Sequence, residues 1–490
     1  MSEYVCSIDQ STQGTKALLL DRTGRLVCRT DIPHRQIINE KGWVSHDPCQ
    51  IRRNTVQVVK NLVEKAGIDR SELKVLGISN QRETSVAWDR ETGRPVCDAI
   101  VWQCSRAKDI CEKLHLCAEE VQQKSGMKLS PYFPAAKWAW IFENVPGARE
   151  KAEQGKLAVG TIDTWLVWNL TKGRQFKTDY SNASRTELFN IRTLRWDEEL
   201  LKIFSIPSSC MAEVIDSNGD FGETDFDGYL DKPIPIRSAM GDSHGALFGQ
   251  GCLEKGMVKA TYGTGSSIMM NIGDRPVFSD TGIVTSLGWG MDGKIAYVLE
   301  NNINYTGAVI SWLRDDLKLI EGPGETAALA KAASPEDTTY LVPAFSGLGA
   351  PYWDSSAKAC ISGMTRVTGK NEIVRAAVDS IAYQIADALR LMREASGTPV
   401  GELRVDGGAT KNDYLMQFQS DLCDIPVRVP DAEELSGIGA GYAAGLAAGL
   451  YGPDIFTNLR RESYLPKMSA EERTRRLGGW KRAVEAVMEH

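Results

Sequence analysis

Asp242 stands in Ala239-Met240-Gly241-Asp242-Ser243-His244-Gly245, directly after an apolar run, so it is expected at the carboxyl end of a strand. Ligands of open α/β sheets collect at that end, and a carboxylate there can accept the proton of an attacking hydroxyl. It is the candidate general base. An Asp beside Gly more often forms a turn, so the assignment leans on its surroundings. A second carboxylate, Asp9, ends the run Tyr4-Val5-Cys6-Ser7-Ile8-Asp9 and opens the turn Gln10-Ser11-Thr12-Gln13-Gly14-Thr15-Lys16. Small hydroxyls, backbone amides and the closing cation of such a turn can converge on phosphate oxygens. The spacing is not of the Walker type, and a hairpin with a polar tip would have the same composition.

A related turn, Thr261-Tyr262-Gly263-Thr264-Gly265-Ser266-Ser267, opens the second half of the chain. Two such loops facing one another would clamp the phosphates of one nucleotide. The segment Val405-Asp406-Gly407-Gly408-Ala409-Thr410-Lys411-Asn412 reads as a strand, a Gly-Gly turn and a helix start, which lets backbone approach a flat or anionic group. Arg82 and Glu83 follow an apolar run, and Trp102 and Tyr132 lie downstream. An Arg/Glu pair can bond vicinal hydroxyls while aromatic faces cover the carbons of a small polyhydroxy compound. The same four residues could equally be a buried ion pair and core aromatics. His244 has no matching triad and is expected to pack or hydrogen bond.

The elements that must position these residues follow from periodicity. Residues 4–9, 16–21 and 24–29 read as a three-stranded meander, and the pattern at 258–277 repeats its strand, turn, strand, which suggests a duplicated fold. Helical periodicity marks 51–65, 106–113, 371–396 and 412–424, so the class is α/β. The halves are expected to meet near 245–255 and leave a cleft. The Gly- and Ala-rich stretch 437–450 is shorter than the about 20 apolar residues needed to span a bilayer, and its small residues suit close helix packing.

With 490 residues, 42% hydrophobic and 25% charged, the chain is long enough for roughly two to four folded domains. A net charge of −7 argues against nucleic acid and anionic lipid as partners, since both reward a basic surface. The eleven cysteines include no CxxC pair, and Cys104, Cys111 and Cys117 lack zinc spacing. Reduced thiols in a cytoplasmic protein are expected, with no secretory signal and no membrane segment.

These residues resemble the FGGY carbohydrate kinase family. Tyr132-Phe133-Pro134-Ala135-Ala136-Lys137-Trp138-Ala139-Trp140-Ile141-Phe142-Glu143-Asn144 is similar to its first signature, and 359–379, through Gly363, Glu372-Ile373 and Ala376-Ala377-Val378-Asp379, to its second. The resemblance runs from about residue 4 to 480. It implies two ribonuclease H-like, actin-type ATPase domains: 1–248 with the polyol or sugar site and first phosphate loop, and 249–490 with the nucleotide site. It implies ATP and Mg²⁺, with Asp9 at the metal, Thr12, Gln13 and Lys16 in the first phosphate loop, and Thr264 and Gly265 in the second. Gly307, Gly408 and Asn412 fall on nucleotide positions. Arg82, Glu83, Trp102, Tyr132 and Asp242 fall on polyol positions, with Asp242 as base. A homodimer or homotetramer is compatible with the family.

The sequence also departs from the family. Where its glycerol-phosphorylating branch has Gly-Asp-Gln-Gln, this chain has Gly241-Asp242-Ser243-His244, and Ser267 replaces an aromatic residue. Ser243 and Ser267 are therefore predicted to enlarge the substrate pocket for a longer polyol or a ketose, with Asn301 and Asn302 adding amides. The alternative is glycerol itself, with neighbours filling the space. Residues 225–232 contain no Arg, so inhibition by fructose 1,6-bisphosphate is not expected. An actin-like ATPase module would share the loops but has no use for Arg82, Glu83, Trp102 and Tyr132. A silent sugar-binding regulator would not need both Asp9 and Asp242.

Overall fold

The computed structural model describes residues 3–279 and 281–488. Two central sheets dominate it. In the first, the strands lie in the order Glu223–Thr224, Ile234–Gly241, Leu73–Asn80, Tyr4–Gln10, Gly14–Leu20 and Leu26–Pro33. In the second the order is Val284–Met291, Lys294–Ile303, Ser266–Gly273, Val258–Tyr262, Leu403–Gly407, Val427–Pro430 and Arg461–Tyr464. Each sheet opens with an antiparallel hairpin, Tyr4–Gln10 with Gly14–Leu20 and Val258–Tyr262 with Ser266–Gly273. Each then adds a parallel strand on the other side of the first, Leu73–Asn80 or Leu403–Gly407. This is the duplication anticipated from the repeated turn.

The second and third strands begin and end apart from the expected 16–21 and 24–29. The Ser11 amide donates to the Gly14 carbonyl at 2.8 Å, which closes the first turn so tightly that pairing already starts at Gln10 and Thr15. The next turn is held by Asp21, whose carboxylate accepts from the amides of Thr23 and Arg25 at 2.8 and 3.1 Å, with Gly24 at φ +76°. The third strand therefore starts at Leu26 and runs to Pro33.

Alternation decides what each face of the first sheet meets. Cys6, Ile8, Ala17, Leu19, Leu76 and Ile78 share one core with Ile51, Val58, Val59 and Leu62 of the helix Pro48–Ala66, whose N-terminus is capped by Asp47. On the other face Val5, Leu18, Leu20, Val75 and Met240 share a core with Leu435, Ile438 and Tyr442 of the helix Leu435–Ala447. That helix comes from the far end of the sequence and lies against Asp242–Gly249, the helix that leaves the first sheet. A Cβ at Gly439 would stand 1.9 Å from the Gly245 carbonyl oxygen, and one at Gly441 2.5 Å from Leu20 Cδ1. The small residues at helical spacing thus let backbone meet backbone. In the second half, Lys370–Ser396 turns Val374, Val378, Ile381, Ile385 and Leu389 inward, and Asn412 caps the helix Asp413–Cys423.

No helix among the described residues is long and apolar enough to cross a membrane. All eleven cysteines are free thiols.

Candidate active site

Asp9 and Asp242 reach the same end of the first sheet because Tyr4–Gln10 and Ile234–Gly241 both run parallel to Leu73–Asn80, with Asp9 and Met240 each in register with Ser79. Asp9 is 6% exposed and accepts from Ser79 Oγ at 2.8 Å. Burial pushes its carboxyl up to about 6; Lys16 and the Ser79 bond oppose the rise, and the charge of Asp242 adds to it. Asp242 begins the helix Asp242–Gly249, and its side chain keeps 37% of its surface.

Around Asp242 lies a nearly dry network of charges. Arg82 Nε sits 3.2 Å from Asp242 Oδ1, while Arg82 Nη2 and Nη1 grip Glu300 Oε1 and Oε2 at 2.7 and 2.8 Å. Arg185 pairs through Nε with Glu83 Oε1 at 2.6 Å and through Nη1 with Glu300 Oε2 at 2.8 Å. Buried charge survives only when paired in this way. Burial alone would raise Glu300, but Arg185 and Arg82 hold it well below the usual carboxylate range. Glu83 has φ +59°, a left-handed conformation rare for a side-chain-bearing residue. Gly241 leaves room for the stem of Arg82, since a Cβ there would lie 2.7 Å from Arg82 Cγ and Cδ.

Aromatic rings flank this cluster. The rings of Trp102 and Tyr132 are 5.5 Å apart, and Trp102 Nε1 donates to Thr12 Oγ1 at 2.9 Å, tying the aromatic wall to the first loop. Lys137, fully buried, donates to the carbonyls of Pro131 at 2.7 Å and of Tyr132, which fixes the turn carrying that ring. Burial pulls the Lys137 ammonium down to about 7.

Ser267 Oγ stands 3.4 Å from Ser243 Oγ, from Glu300 Oε1 and from Lys259 Nζ. All three contacts lie at the long limit of hydrogen bonding. Lys259 is buried and also donates to Thr261 Oγ1 at 3.1 Å. His244 is buried, with Nε2 3.3 Å from Ser286 Oγ. Burial and the neighbouring Arg82 lower its basicity well below normal, and it packs in the interior against Ser286, as expected.

The Tyr262-to-Ser266 turn connects this cluster to a cavity of about 490 Å³ in the second half. Thr264, Gly307, Gly408 and Asn412 line it, over an apolar wall that includes Ile310, Val378, Ile381 and Leu415. Gly265 is forced by space, because a Cβ would sit 2.2 Å from the Ile303 carbonyl oxygen. Gly407, at φ +98°, is pressed equally close to the Tyr262 carbonyl oxygen. Asn412 accepts from the Leu415 amide and donates to Thr326 Oγ1, both at 2.9 Å. In the first loop Gln13 is exposed, and Lys16 Nζ pairs with Glu434 Oε2 at 2.5 Å.

The structure therefore brings Asp9, Thr12, Arg82, Glu83, Trp102, Tyr132, Asp242, Ser243 and Ser267 around one site, and gathers Thr264, Gly307, Gly408 and Asn412 at one cavity. Sequence reasoning missed Arg185, Ser79, Lys259 and Glu434. Arg185 lies in Asn182-Ala183-Ser184-Arg185-Thr186, a polar stretch whose pairing with Glu83 and Glu300 is a long-range fact that no local pattern announces.

Comparison with known proteins accounts for the arrangement. The N-terminal domain of the FGGY family of carbohydrate kinases matches residues 4–249, and its C-terminal domain matches residues 258–448. The chain belongs to the FGGY family of carbohydrate kinases. A glycerol kinase of Caldanaerobacter subterraneus subsp. tengcongensis is 45% identical across all of this chain and 99% of its own length. Glycerol kinase 1 of Thermotoga maritima is 46% identical over 99% of each chain. The structure of a Plasmodium falciparum glycerol kinase with ADP superimposes with a TM-score of 0.94 at 35% identity, covering 99% of this chain and 98% of that one. A gluconate kinase of Lactobacillus acidophilus shares the fold, with a TM-score of 0.88 at 22% identity over 99% and 98% of the two chains. As an FGGY kinase the protein is a phosphotransferase with an alcohol group as acceptor, built on two actin-type ATPase domains.

Proposed function

We propose that this FGGY kinase transfers the γ-phosphoryl group of ATP to a primary hydroxyl of glycerol, with 1–248 supplying the polyol side and 249–490 the nucleotide side. The observation that carries the chemistry is the Asp242 carboxylate, part-exposed at the edge of a buried charge network and 3.2 Å from Arg82 Nε. The choice of glycerol rests on the glycerol kinases that match the chain end to end.

Arg82 has five N–H donors: Nη1 and Nη2 each give one to Glu300 and keep one, while Nε faces Asp242 as an ion pair. The two kept donors and the second oxygen of Glu83 are suited to the two hydroxyls that do not react, with Trp102 and Tyr132 against the carbons. Asp242 accepts the proton of the attacking hydroxyl. Thr12, Gln13 and Lys16 from the first loop, with Thr264 and Gly265 from the second, hold the phosphates, and Gly307, Gly408 and Asn412 border the rest of the nucleotide.

Among the described residues no cluster of three or more His, Cys, Asp or Glu side chains could hold a metal alone. Mg²⁺ is commonly held by one or two carboxylates, with phosphates and waters completing its shell. Asp9 is the carboxylate placed for it. When bound, the ion would neutralise charge on the phosphates.

The small Ser243 and Ser267 side chains, in 3.4 Å contact with each other and, through Ser267, with Glu300 and Lys259, motivate a second reading, a substrate of four or five carbons whose extra hydroxyl bonds to these groups. Rates of ATP consumption with glycerol, erythritol, xylitol and ketoses separate the two. A higher kcat/KM for glycerol than for every larger compound upholds the first reading, and a larger preferred substrate upholds the second.

A further inference from the structure

We propose that Glu434 is a positioning residue for phosphoryl transfer, fixing the Lys16 ammonium at the first loop through a carboxylate that comes from near the other end of the chain. The inference rests on the reading of Lys16 as a phosphate-loop cation.

Asp9 and Lys16 are direct partners in the antiparallel hairpin, so their side chains share a face of the first sheet. The helix Leu435–Ala447 lies on that face. Ser7 Oγ donates to the Gly437 carbonyl at 2.6 Å, and a Cβ at Gly437 would come 3.3 Å from the Cβ of Asp9. Glu434, which immediately precedes this helix, is thereby held over the loop. One of its carboxylate oxygens takes the Lys16 ammonium at 2.5 Å and the other accepts from Arg29. The Glu434 side chain is only 10% exposed, whereas Lys16 keeps 31% of its side-chain surface and Arg29 keeps 41%. Its backbone is at φ +66°, a conformation that side-chain-bearing residues rarely adopt and that persists where the surroundings over-determine it.

The arrangement suits a rest for a ligand-binding lysine. An ammonium carries three protons, so one held by Glu434 leaves two for phosphate oxygens. A lysine already fixed loses less rotamer freedom when the nucleotide arrives, which favours binding. Arg29 neutralises the same carboxylate, so Glu434 presents little net repulsion to an incoming anion.

Glu434→Gln keeps the size and one acceptor oxygen and removes the charge. The test measures ADP binding by calorimetry, and kcat and KM for ATP and for the polyol, in wild type, Glu434→Gln, Lys16→Ala and the double variant. Glu434→Gln should weaken ADP binding and raise the KM for ATP by roughly fivefold to twentyfold while leaving the polyol KM unchanged. The double variant should be no worse than Lys16→Ala, because the two residues act as a unit. Unchanged or tighter ADP binding by Glu434→Gln, alongside weakened binding by Lys16→Ala, overturns the positioning role, and so do additive losses. Unaltered ADP binding and ATP KM in Lys16→Ala overturn instead the reading of the loop. Where the Gln variant does not fold, Glu434→Asp carries the test, since a shorter arm displaces the ammonium and should move the same two constants.

Discussion

Asp9 and Asp242 are the same side chain given different burial, and that difference is measurable. Burial holds the Asp9 carboxyl at about 6 against an ordinary value of 3.8. Its folded-state value lies above its unfolded one, so below about pH 4 both states are protonated and burial costs nothing. As pH rises from 4 through 6 the unfolded chain ionises first, and stability is lost at up to about 1.4 kcal/mol per pH unit, the loss being complete above pH 6. Asp9→Asn should therefore raise Tm at pH 7–8, by an amount that shrinks as the pH is lowered towards 5, while Mg²⁺-dependent turnover collapses. Equal Tm differences at pH 8 and pH 5 would contradict the burial argument. Asp242→Asn should lower kcat by roughly 10²–10⁴-fold with a smaller effect on ATP affinity, and near-normal turnover would remove Asp242 as the base.

At this scale Asp9, Asp242, Arg82 and Glu83 were legible because each follows an apolar run that had to be a strand. What was not legible is who pairs with whom. Glu83 and Arg185 are 102 residues apart, and Arg82 and Glu300 are 218 apart, so only the assembled sheets reveal that these four charges neutralise one another.

At the scale of elements, a glycine in a helix costs stability unless its missing side chain is used. Gly439 is such a case, with no room before the Gly245 carbonyl, whereas the nearest heavy atom to a Cβ at Gly478 is the mobile end of Arg482, 3.6 Å away. Both lie in helices, Leu435–Ala447 and Ala470–Met488. Gly439→Ala should lose several kcal/mol, and Gly478→Ala should gain roughly 0.4–1 kcal/mol. Chemical denaturation of the two variants checks this, and a neutral Gly439→Ala would mean that the two helices are free to separate. The sequence showed that small residues recur at helical spacing here. It did not show the address, since periodicity describes a helix face and is silent about which sheet receives it.

At the scale of the molecule, the two sheets repeat one topology and share the buried charges, with Asp9 and Arg82 at the end of the first and Glu300 and Lys259 in the second, while the second also carries the cavity with its apolar wall. The repeat was visible in the strand, turn, strand pattern around both loops. Its asymmetry was not, because it arises from side chains distributed over many connections. The helix Leu435–Ala447 breaks the division by sequence most clearly, since it completes the core of the first sheet from the second half of the chain.

That helix has a consequence for how the chain is made. On the ribosome, the face bearing Val5, Leu18, Leu20, Val75 and Met240 must wait for about 200 further residues after Gly249, roughly 10–40 s at ordinary elongation rates. During that interval the nascent first half presents an uncovered apolar sheet, the kind of surface holding chaperones capture. Residues 1–248 produced alone should therefore aggregate or be held by chaperones. Co-expressing or fusing 430–450 should restore solubility. A soluble, cooperatively melting 1–248 fragment would show that the first half matures before its last helix is synthesised.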